Sequence, residues 1–99
     1  ASGDLQAAVL RSLDLMLGFY GFERTAKGIR PGADFEAWSR RWATPGNHNH
    51  LRLSRIVQSL ALLGRVEESR MLRHACLDAA RALGPDRISA RTVEVWRSL

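Results

Sequence analysis

The chain has one cysteine, Cys76, and no long run of apolar residues. A single thiol excludes a disulfide within the chain and is typical of proteins in a reducing compartment, so we expect a cytoplasmic protein. The longest nearly apolar stretch, Leu15 to Phe22, is interrupted by Gly18 and Gly21 and is far shorter than the roughly 20 residues that cross a bilayer. The first residues also lack the basic and apolar regions of a signal peptide. No membrane span is therefore predicted.

Lysine is almost absent, because Lys27 is the one lysine among fifteen basic residues and the other fourteen are arginines. The formal net charge of +5 is compatible with a nucleic-acid partner. The arginines are, however, spread along the whole sequence and form no block of like charge. We therefore expect a solvated, charged surface and rank nucleic-acid binding third among the functions considered.

The residues that are present describe a small globular protein. Apolar residues make up 45% and charged residues 25% of the 99 positions, without any low-complexity segment. A chain of this length suits one domain, which we assign to residues 1–99. Apolar positions recur with the helical period of about 3.6 residues in several segments. We therefore predict an all-α fold, a compact bundle of about five helices.

Glycines and short polar residues mark the ends of the first two helices. The first helix ends at Gly21, where a left-handed cap is expected. Its apolar stripe contains Leu5, Val9, Leu13, Met16, Leu17 and Tyr20, widened by Leu10 and Phe19. Asp34 begins a short helix in which Phe35, Trp38 and Trp42 share one face. These aromatic residues are expected to close the core rather than to hold a ligand.

The remaining connections are read from the same signals. Residues 23–33 lose the helical period and contain Gly28, Pro31 and Gly32, so a connecting loop is predicted. The third and fourth helices meet at Gly64 and are expected to form an antiparallel hairpin. The Gly-Pro-Asp sequence at 84–86 ends the fourth helix, and Ser89 caps a fifth.

The stretch from Gly46 to Gly64 carries the most distinctive chemistry, a polar turn that runs into an amphipathic helix. Free N–H groups at a helix start favour an anion, and histidine and arginine side chains add donors. The candidate residues for binding a carboxylate or phosphate are His48, Asn49, His50, Arg52, Arg55 and Ser59.

The same turn also has a purely structural interpretation. Asn47 or Asn49 can cap the helix, and a histidine can form a hydrogen bond with a nearby carbonyl. Arg52 or Arg55 can pair with a carboxylate of a neighbouring helix. The sequence leaves both interpretations open.

No catalytic or metal-binding motif is complete in the sequence. His48, His50, His74 and Cys76 lack the paired spacings of a zinc site. The serines and Cys76 occur without the local signature of an activated nucleophile. We therefore predict no metal and no cofactor, and we favour a non-enzymatic role. The rival is an enzyme with an unrecognised site near His48, His50 and Arg52.

Two ordered motifs resemble the conserved region of the opioid growth factor receptor family. The segment Leu15-Met-Leu-Gly-Phe-Tyr-Gly21 matches the first motif, and the helix from His48 to Gly64 follows after a variable loop. The family's helix reads His-Asn-x-x-Arg-Ile-Thr-Arg-Ile-Leu-x-Ser-Leu-x-x-Leu-Gly. The matching positions here are Arg52, Arg55, Ser59, Leu60 and Gly64, with Leu53, Ser54 and Val57 as similar replacements. The resemblance covers roughly residues 13–72.

The resemblance implies a binding role rather than catalysis. Animal members are described as receptors for an enkephalin peptide at the nuclear envelope, whereas bacterial members have no assigned role. The family's conserved region also has an upstream half with a His-x-x-Ile-Gln-Trp-Leu-Phe-Pro motif, which this chain lacks. We therefore expect the C-terminal part of the domain, whose core is completed by an absent N-terminal half or by a homo-oligomer. The short, arginine-rich chain looks bacterial.

Together these observations predict a non-enzymatic binding or interaction module. Its ligand is expected to be a peptide or a small anionic molecule, and the resemblance does not by itself assign an enkephalin peptide to this chain. The alternative is an enzyme or a small-anion binder with its site at the start of the third helix. Nucleic-acid binding is the third possibility.

Overall fold

The computed structural model describes residues 2–99. In this range it contains five helices and one two-stranded antiparallel sheet. The helices are α1 (Ser2–Tyr20), α2 (Phe35–Ser39), α3 (Asn49–Leu62), α4 (Val66–Leu83) and α5 (Ala90–Arg97), and the strands are β1 (Phe22–Thr25) and β2 (Gly28–Pro31). The prediction of a compact, predominantly helical fold with about five helices is confirmed. No helix in the described range is long and apolar enough to cross a membrane.

The segment between α1 and α2 is a β-hairpin, so the prediction of a loop over residues 23–33 is wrong. Thr25 pairs with Gly28 across the turn. The Thr25 hydroxyl accepts a hydrogen bond from the Lys27 N–H and donates one to the Gly28 carbonyl, which closes the turn. Strands of four residues are too short to display an alternating pattern. Pro31 is tolerated because it lies at the end of its strand.

Gly21 joins α1 to the hairpin in a conformation that only glycine adopts easily. Its φ is +84°, and a Cβ at this position would lie 2.8 Å from the Cβ of Trp38. The Gly21 carbonyl accepts a hydrogen bond from the Gly32 N–H at 2.8 Å. The left-handed cap predicted at Gly21 is therefore confirmed, and the close approach fixes α1 against α2.

Aromatic rings run through the centre of the core. Trp42 and Trp96 have no exposed surface. The rings of Tyr20, Trp42, His50 and Trp96 follow one another in edge contacts, with centroids 5.8, 6.2 and 5.9 Å apart. The Trp42 indole N–H donates to the Tyr20 carbonyl at 2.9 Å, which satisfies its polar atom. The prediction that the tryptophan pair closes the core is confirmed for Trp42, whereas Trp38 is half-buried beneath the Arg41 guanidinium.

α3 and α4 form the antiparallel hairpin that the sequence predicts. Gly64 has a φ of +86° and donates its N–H to the Ala61 carbonyl. The Arg65 N–H donates to the Leu60 carbonyl at 2.8 Å, which completes a Schellman ending of α3. The Ser69 hydroxyl then donates to the Val57 carbonyl at 2.6 Å and holds the two helices together.

α5 is fixed over the core by its cap and by one arginine. The Ser89 side chain accepts a hydrogen bond from the Thr92 N–H, as predicted. In the connection before it, Arg87 Nε donates to the Ala43 carbonyl and Nη2 to the Ser39 hydroxyl, both at 3.1 Å. The Trp96 indole of α5 donates to the His50 carbonyl at 3.3 Å, which holds α5 against the start of α3.

Candidate functional site

The six residues predicted to bind an anion lie in three environments. Two are buried in the core, one lies beside α5, and three line a groove between α1 and α3. The buried pair is Asn49 and His50, and the residue beside α5 is His48. The three residues of the groove are Arg52, Arg55 and Ser59. The structure therefore brings only the last three together on one open surface.

Asn49 and His50 hold the first turn of α3 against the core. The Tyr20 hydroxyl donates to Asn49 Oδ1 at 3.3 Å, and the Trp96 indole donates to the His50 carbonyl at 3.3 Å. His50 Nε2 lies 2.8 Å from the Trp42 carbonyl and, because that oxygen only accepts, carries the proton. Burial lowers the pKa of His50, so the neutral ring is favoured. The structural interpretation of the histidine is confirmed.

Three N–H groups at the start of α3 form hydrogen bonds within the chain. The Asn49 N–H donates to Asn47 Oδ1 at 2.9 Å, and the His50 N–H donates to the Asn47 carbonyl at 3.1 Å. The Arg52 N–H donates to the His48 carbonyl at 3.2 Å. Asn47 thus accepts from two N–H groups of the first turn, as the structural interpretation proposed, whereas the N-cap residue His48 forms no side-chain cap. Because these N–H groups are bonded within the chain, the candidate site lies on the side of α3 rather than at its start.

His48 is exposed and separate from the groove. It lines a cavity of about 300 Å³ that also includes Arg91 and Thr92 of α5. Arg52, Arg55 and Ser59 do not line that cavity. The cluster of six that the sequence predicts is therefore divided by α3 itself.

The groove between α1 and α3 has a volume of about 450 Å³. The two helices run antiparallel, because Gln6 of α1 donates to the Leu63 carbonyl at 3.1 Å while Tyr20 reaches Asn49 at the other end. One border is formed by Arg52, Arg55 and Ser59 of α3 and by Leu63 just after it, and Leu5, Ala8, Ser12 and Met16 line the α1 side. The buried floor includes Leu13, Ile56 and Leu60.

Sequence reasoning missed that the apolar face of α1 is only partly covered. Leu5 is 57% exposed and Met16 is 37% exposed, although both share the helical stripe of the buried Leu13. The helical period shows which side of a helix is apolar but not what covers it. The available signal was the width of that stripe, since Leu10 and Phe19 extend it beyond what a single contact requires.

The groove has a positive border that is not neutralised by a carboxylate within the described residues. Arg52 and Arg55 are exposed, lie one turn apart, and have no carboxylate oxygen within 4.0 Å in residues 2–99, so the pairing considered from sequence is wrong there. Most other arginines do pair. The paired ones are Arg24, Arg30, Arg40, Arg65, Arg70, Arg81, Arg87 and Arg97.

Arg52 also acts on Tyr20, a buried residue outside the lining of the groove. Burial raises the pKa of the Tyr20 phenol, and the positive charge of Arg52 acts in the opposite direction. The charge of Arg52 is therefore felt at the phenol that bonds to Asn49.

The groove can bind, but it offers little for proton transfer. Its polar lining consists of the Arg52 and Arg55 guanidinium groups and the Ser12 and Ser59 hydroxyls. Within residues 2–99, no group of three or more His, Cys, Asp or Glu side chains is placed to hold a metal. Burial raises the pKa of the Cys76 thiol to about 12, so a reactive thiolate is disfavoured. Donors beside apolar walls suit an apolar ligand with a negative charge.

The comparisons with known proteins agree with the resemblance seen in the motifs. The family described as the opioid growth factor receptor (OGFr) conserved region matches residues 1–80. The human and rat opioid growth factor receptors are each 33% identical to the chain over 66 residues, which is 65% of this chain. The match covers 10% of the human protein and 11% of the rat protein, so the chain spans about a tenth of these relatives. No solved structure matches it significantly.

The family match covers most of the chain, including both helices that form the groove. The arginines of the groove also belong to the helix motif by which the resemblance was recognised. The chain belongs to the family of the opioid growth factor receptor conserved region.

Proposed function

We propose that the chain is a non-enzymatic binding module and that the groove between α1 and α3 is its binding surface. The observation that carries this proposal is the combination of an open apolar groove with Arg52 and Arg55, which are exposed and have no carboxylate partner among residues 2–99. A ligand with an apolar body and a negative charge matches both features.

The physical basis is the surface that such a ligand removes from water. Leu5, Met16 and Leu63 are large side chains that remain 57%, 37% and 46% exposed around the groove. Covering apolar surface is favourable by about 25 cal/mol for each Å². A charge-assisted hydrogen bond from Arg52 or Arg55 then fixes the orientation of the ligand. Apolar contact thus supports affinity, and the arginines support specificity.

We propose a peptide as the ligand class, with a small anionic molecule as the alternative. The name of the human and rat relatives, receptors for an opioid growth factor, supports a peptide. Because the chain spans about a tenth of those proteins, the activity of the whole receptors is not transferred. The groove's volume of about 450 Å³ is within the range of small-ligand sites, which supports the alternative.

Domain organisation and location are further parts of this proposal. We propose that residues 1–99 form one helical domain, the C-terminal part of a longer conserved region that is completed by an N-terminal half or by a second copy. The exposed side chains of Leu15 and Phe19 on α1, which lie outside the groove, support this arrangement. The free, buried thiol of Cys76 supports a reducing, cytoplasmic location. The arginine-rich composition supports a bacterial source.

The test uses anilinonaphthalene sulfonate, a fluorescent probe with an apolar ring system and a negative charge. Met16→Glu places a carboxylate in the groove, and the matched control Leu15→Glu places one on the same helix outside it, at a side chain that is 79% exposed. We expect saturable binding to the native chain, at least tenfold weaker binding to Met16→Glu, and little change in Leu15→Glu. Circular dichroism checks that both variants are folded. Equal affinities of both variants would contradict the proposed site.

A further inference from the structure

We infer that the partner of this groove is an amphipathic helix with two acidic residues at one end of its border. This inference rests on the proposed function, because it concerns the same groove. It goes further in naming the shape, the polarity and the charge pattern of the partner. Each of these follows from a different feature of the groove.

The length of the groove fits a short helix. On α1 the lining runs from Leu5 to Met16, and along α3 and its C-cap it runs from Arg52 to Leu63. Each span covers eleven residue steps, which corresponds to about 16 Å of helix at 1.5 Å for each residue. Two antiparallel helices that flank such a channel can receive a third helix of about three turns.

The polarity of the lining requires an apolar face on the partner. Leu5, Ala8, Ser12 and Met16 bring no charge to the α1 side, and the floor includes Leu13, Ile56 and Leu60. A partner helix with large apolar side chains at positions i, i+3, i+4 and i+7 presents one continuous face to this channel. A polar extended segment would leave the apolar floor without a partner.

The charge of the groove is confined to one border and one end. Arg52 and Arg55 lie one turn apart near the end of the groove beside Met16, whereas Ser59 and Leu63 continue the same border without charge. A partner is therefore expected to have two acidic residues one turn apart at that end, spaced i, i+3 or i, i+4. Its opposite border, which faces α1, is expected to be uncharged.

A second copy of the chain is a poorer match for the groove. Elsewhere on the surface, the exposed apolar side chains of Leu62 and Val66 lie beside Arg70 and Arg73. Docking that surface against Arg52 and Arg55 would bring arginines together, and the chain carries a net charge of +5. Charge complementarity therefore favours a distinct, acidic partner.

Two synthetic peptides of about twelve residues test the inference. Both carry leucines at i, i+3, i+4 and i+7, and a neutral surface elsewhere. The first has two glutamates one turn apart on one border, and the second has lysines at those positions. We expect the glutamate peptide to bind the native chain at least tenfold more tightly than the lysine peptide, as measured by isothermal titration calorimetry. Its affinity should fall as salt is added.

Charge reversal in the protein distinguishes recognition by the arginine border from non-specific binding of the peptides. We expect Arg55→Glu to weaken the glutamate peptide and to strengthen the lysine peptide. Arg11→Glu is the matched control, because Arg11 is exposed on α1 and does not line the groove. It should leave the ratio of the two affinities unchanged within about twofold, since a remote surface charge is screened.

The outcomes separate this inference from the proposed function. If the sulfonate probe binds in the groove while neither peptide binds, the groove takes a small ligand and the inference of a partner helix is wrong. If the two peptides bind equally, the acidic pattern is wrong. Concentration-dependent dimers in sedimentation that are lost in Met16→Glu would identify a second copy as the occupant and also overturn the inference. Failure of the sulfonate probe as well as both peptides would overturn the proposed function itself.

Discussion

Along α3, Leu53 is completely buried, whereas Leu63 just beyond the helix keeps 46% of its surface exposed. On the side that carries Leu53, His50 is bonded to Trp42 and Trp96, and we refer to it as the sealed side. The border with Arg52, Arg55, Ser59 and Leu63 faces the groove, and we refer to it as the open side. One helix thus separates a buried core from a surface that the rest of residues 2–99 leaves partly exposed.

The comparison shows that residue type alone does not decide which side is functional. His50 and Asn49 are residue types common in functional sites, but here they form hydrogen bonds within the core on the sealed side. Leu5, Met16 and Leu63 are residue types that are usually buried, but they remain partly exposed around the groove. The two sides differ in how many packing and hydrogen-bonding partners they receive from segments distant in the chain. Unused hydrogen-bonding capacity and uncovered apolar surface both accumulate on the open side.

The largest expected difference between the two sides is in stability. Leu53→Ala leaves a cavity in the sealed core and should lower the free energy of unfolding by about 2–5 kcal/mol. Leu63→Ala removes a half-exposed side chain and should lower it by about 1 kcal/mol or less. Urea unfolding followed by circular dichroism measures both. Equal losses of stability would mean that Leu63 is as well packed as Leu53, which would contradict the difference between the sealed and open sides.

A smaller difference is expected in the response to pH. Burial lowers the pKa of His50 below its ordinary value of 6.5, so the folded state favours the neutral ring. The resulting stability is present above pH 6.5 and is lost as the pH falls from there toward the lowered pKa. Urea unfolding at a series of pH values should show this loss.

Two glutamine variants assign that pH dependence to one side of α3. His50→Gln should cost about 1–3 kcal/mol at neutral pH, because it disturbs a buried hydrogen bond, and should remove the loss between neutral and mildly acidic pH. His48→Gln is the control, because His48 is exposed and lies outside the core. A loss that persists in His50→Gln but disappears in His48→Gln would reverse the assignment.

Much of the fold follows from local signals in the sequence. Gly64 and Ser89 mark helix ends because the Schellman ending and the serine cap each involve residues close in the chain. The hairpin was missed because its strands are four residues long and its turn depends on Thr25 rather than on a turn dipeptide. Local rules predict helix ends well but give little signal for strands this short.

The candidate site was only partly predictable for a different reason. Arg52, Arg55 and Ser59 were identified because they share a border of one helix, and helical geometry is local. The prediction places Asn49 and His50 in the same site, but both are bonded to core residues, Asn49 to Tyr20 and His50 to Trp42. Tyr20 is 29 residues from Asn49 in the chain, so local sequence signals do not show this contact. The α1 wall of the groove was missed because periodicity does not show whether an apolar face has a partner.

The smallest expected effect on stability belongs to the open side, and it gives the most direct test of the account. In the double variant with Arg52→Ala and Arg55→Ala, the free energy of unfolding should stay within about 0.5 kcal/mol of the native value, because both side chains are exposed and neither has a carboxylate partner in residues 2–99. The same variant should bind anilinonaphthalene sulfonate at least tenfold more weakly. A loss of stability with unchanged probe affinity would contradict the claim that these arginines serve binding rather than the fold.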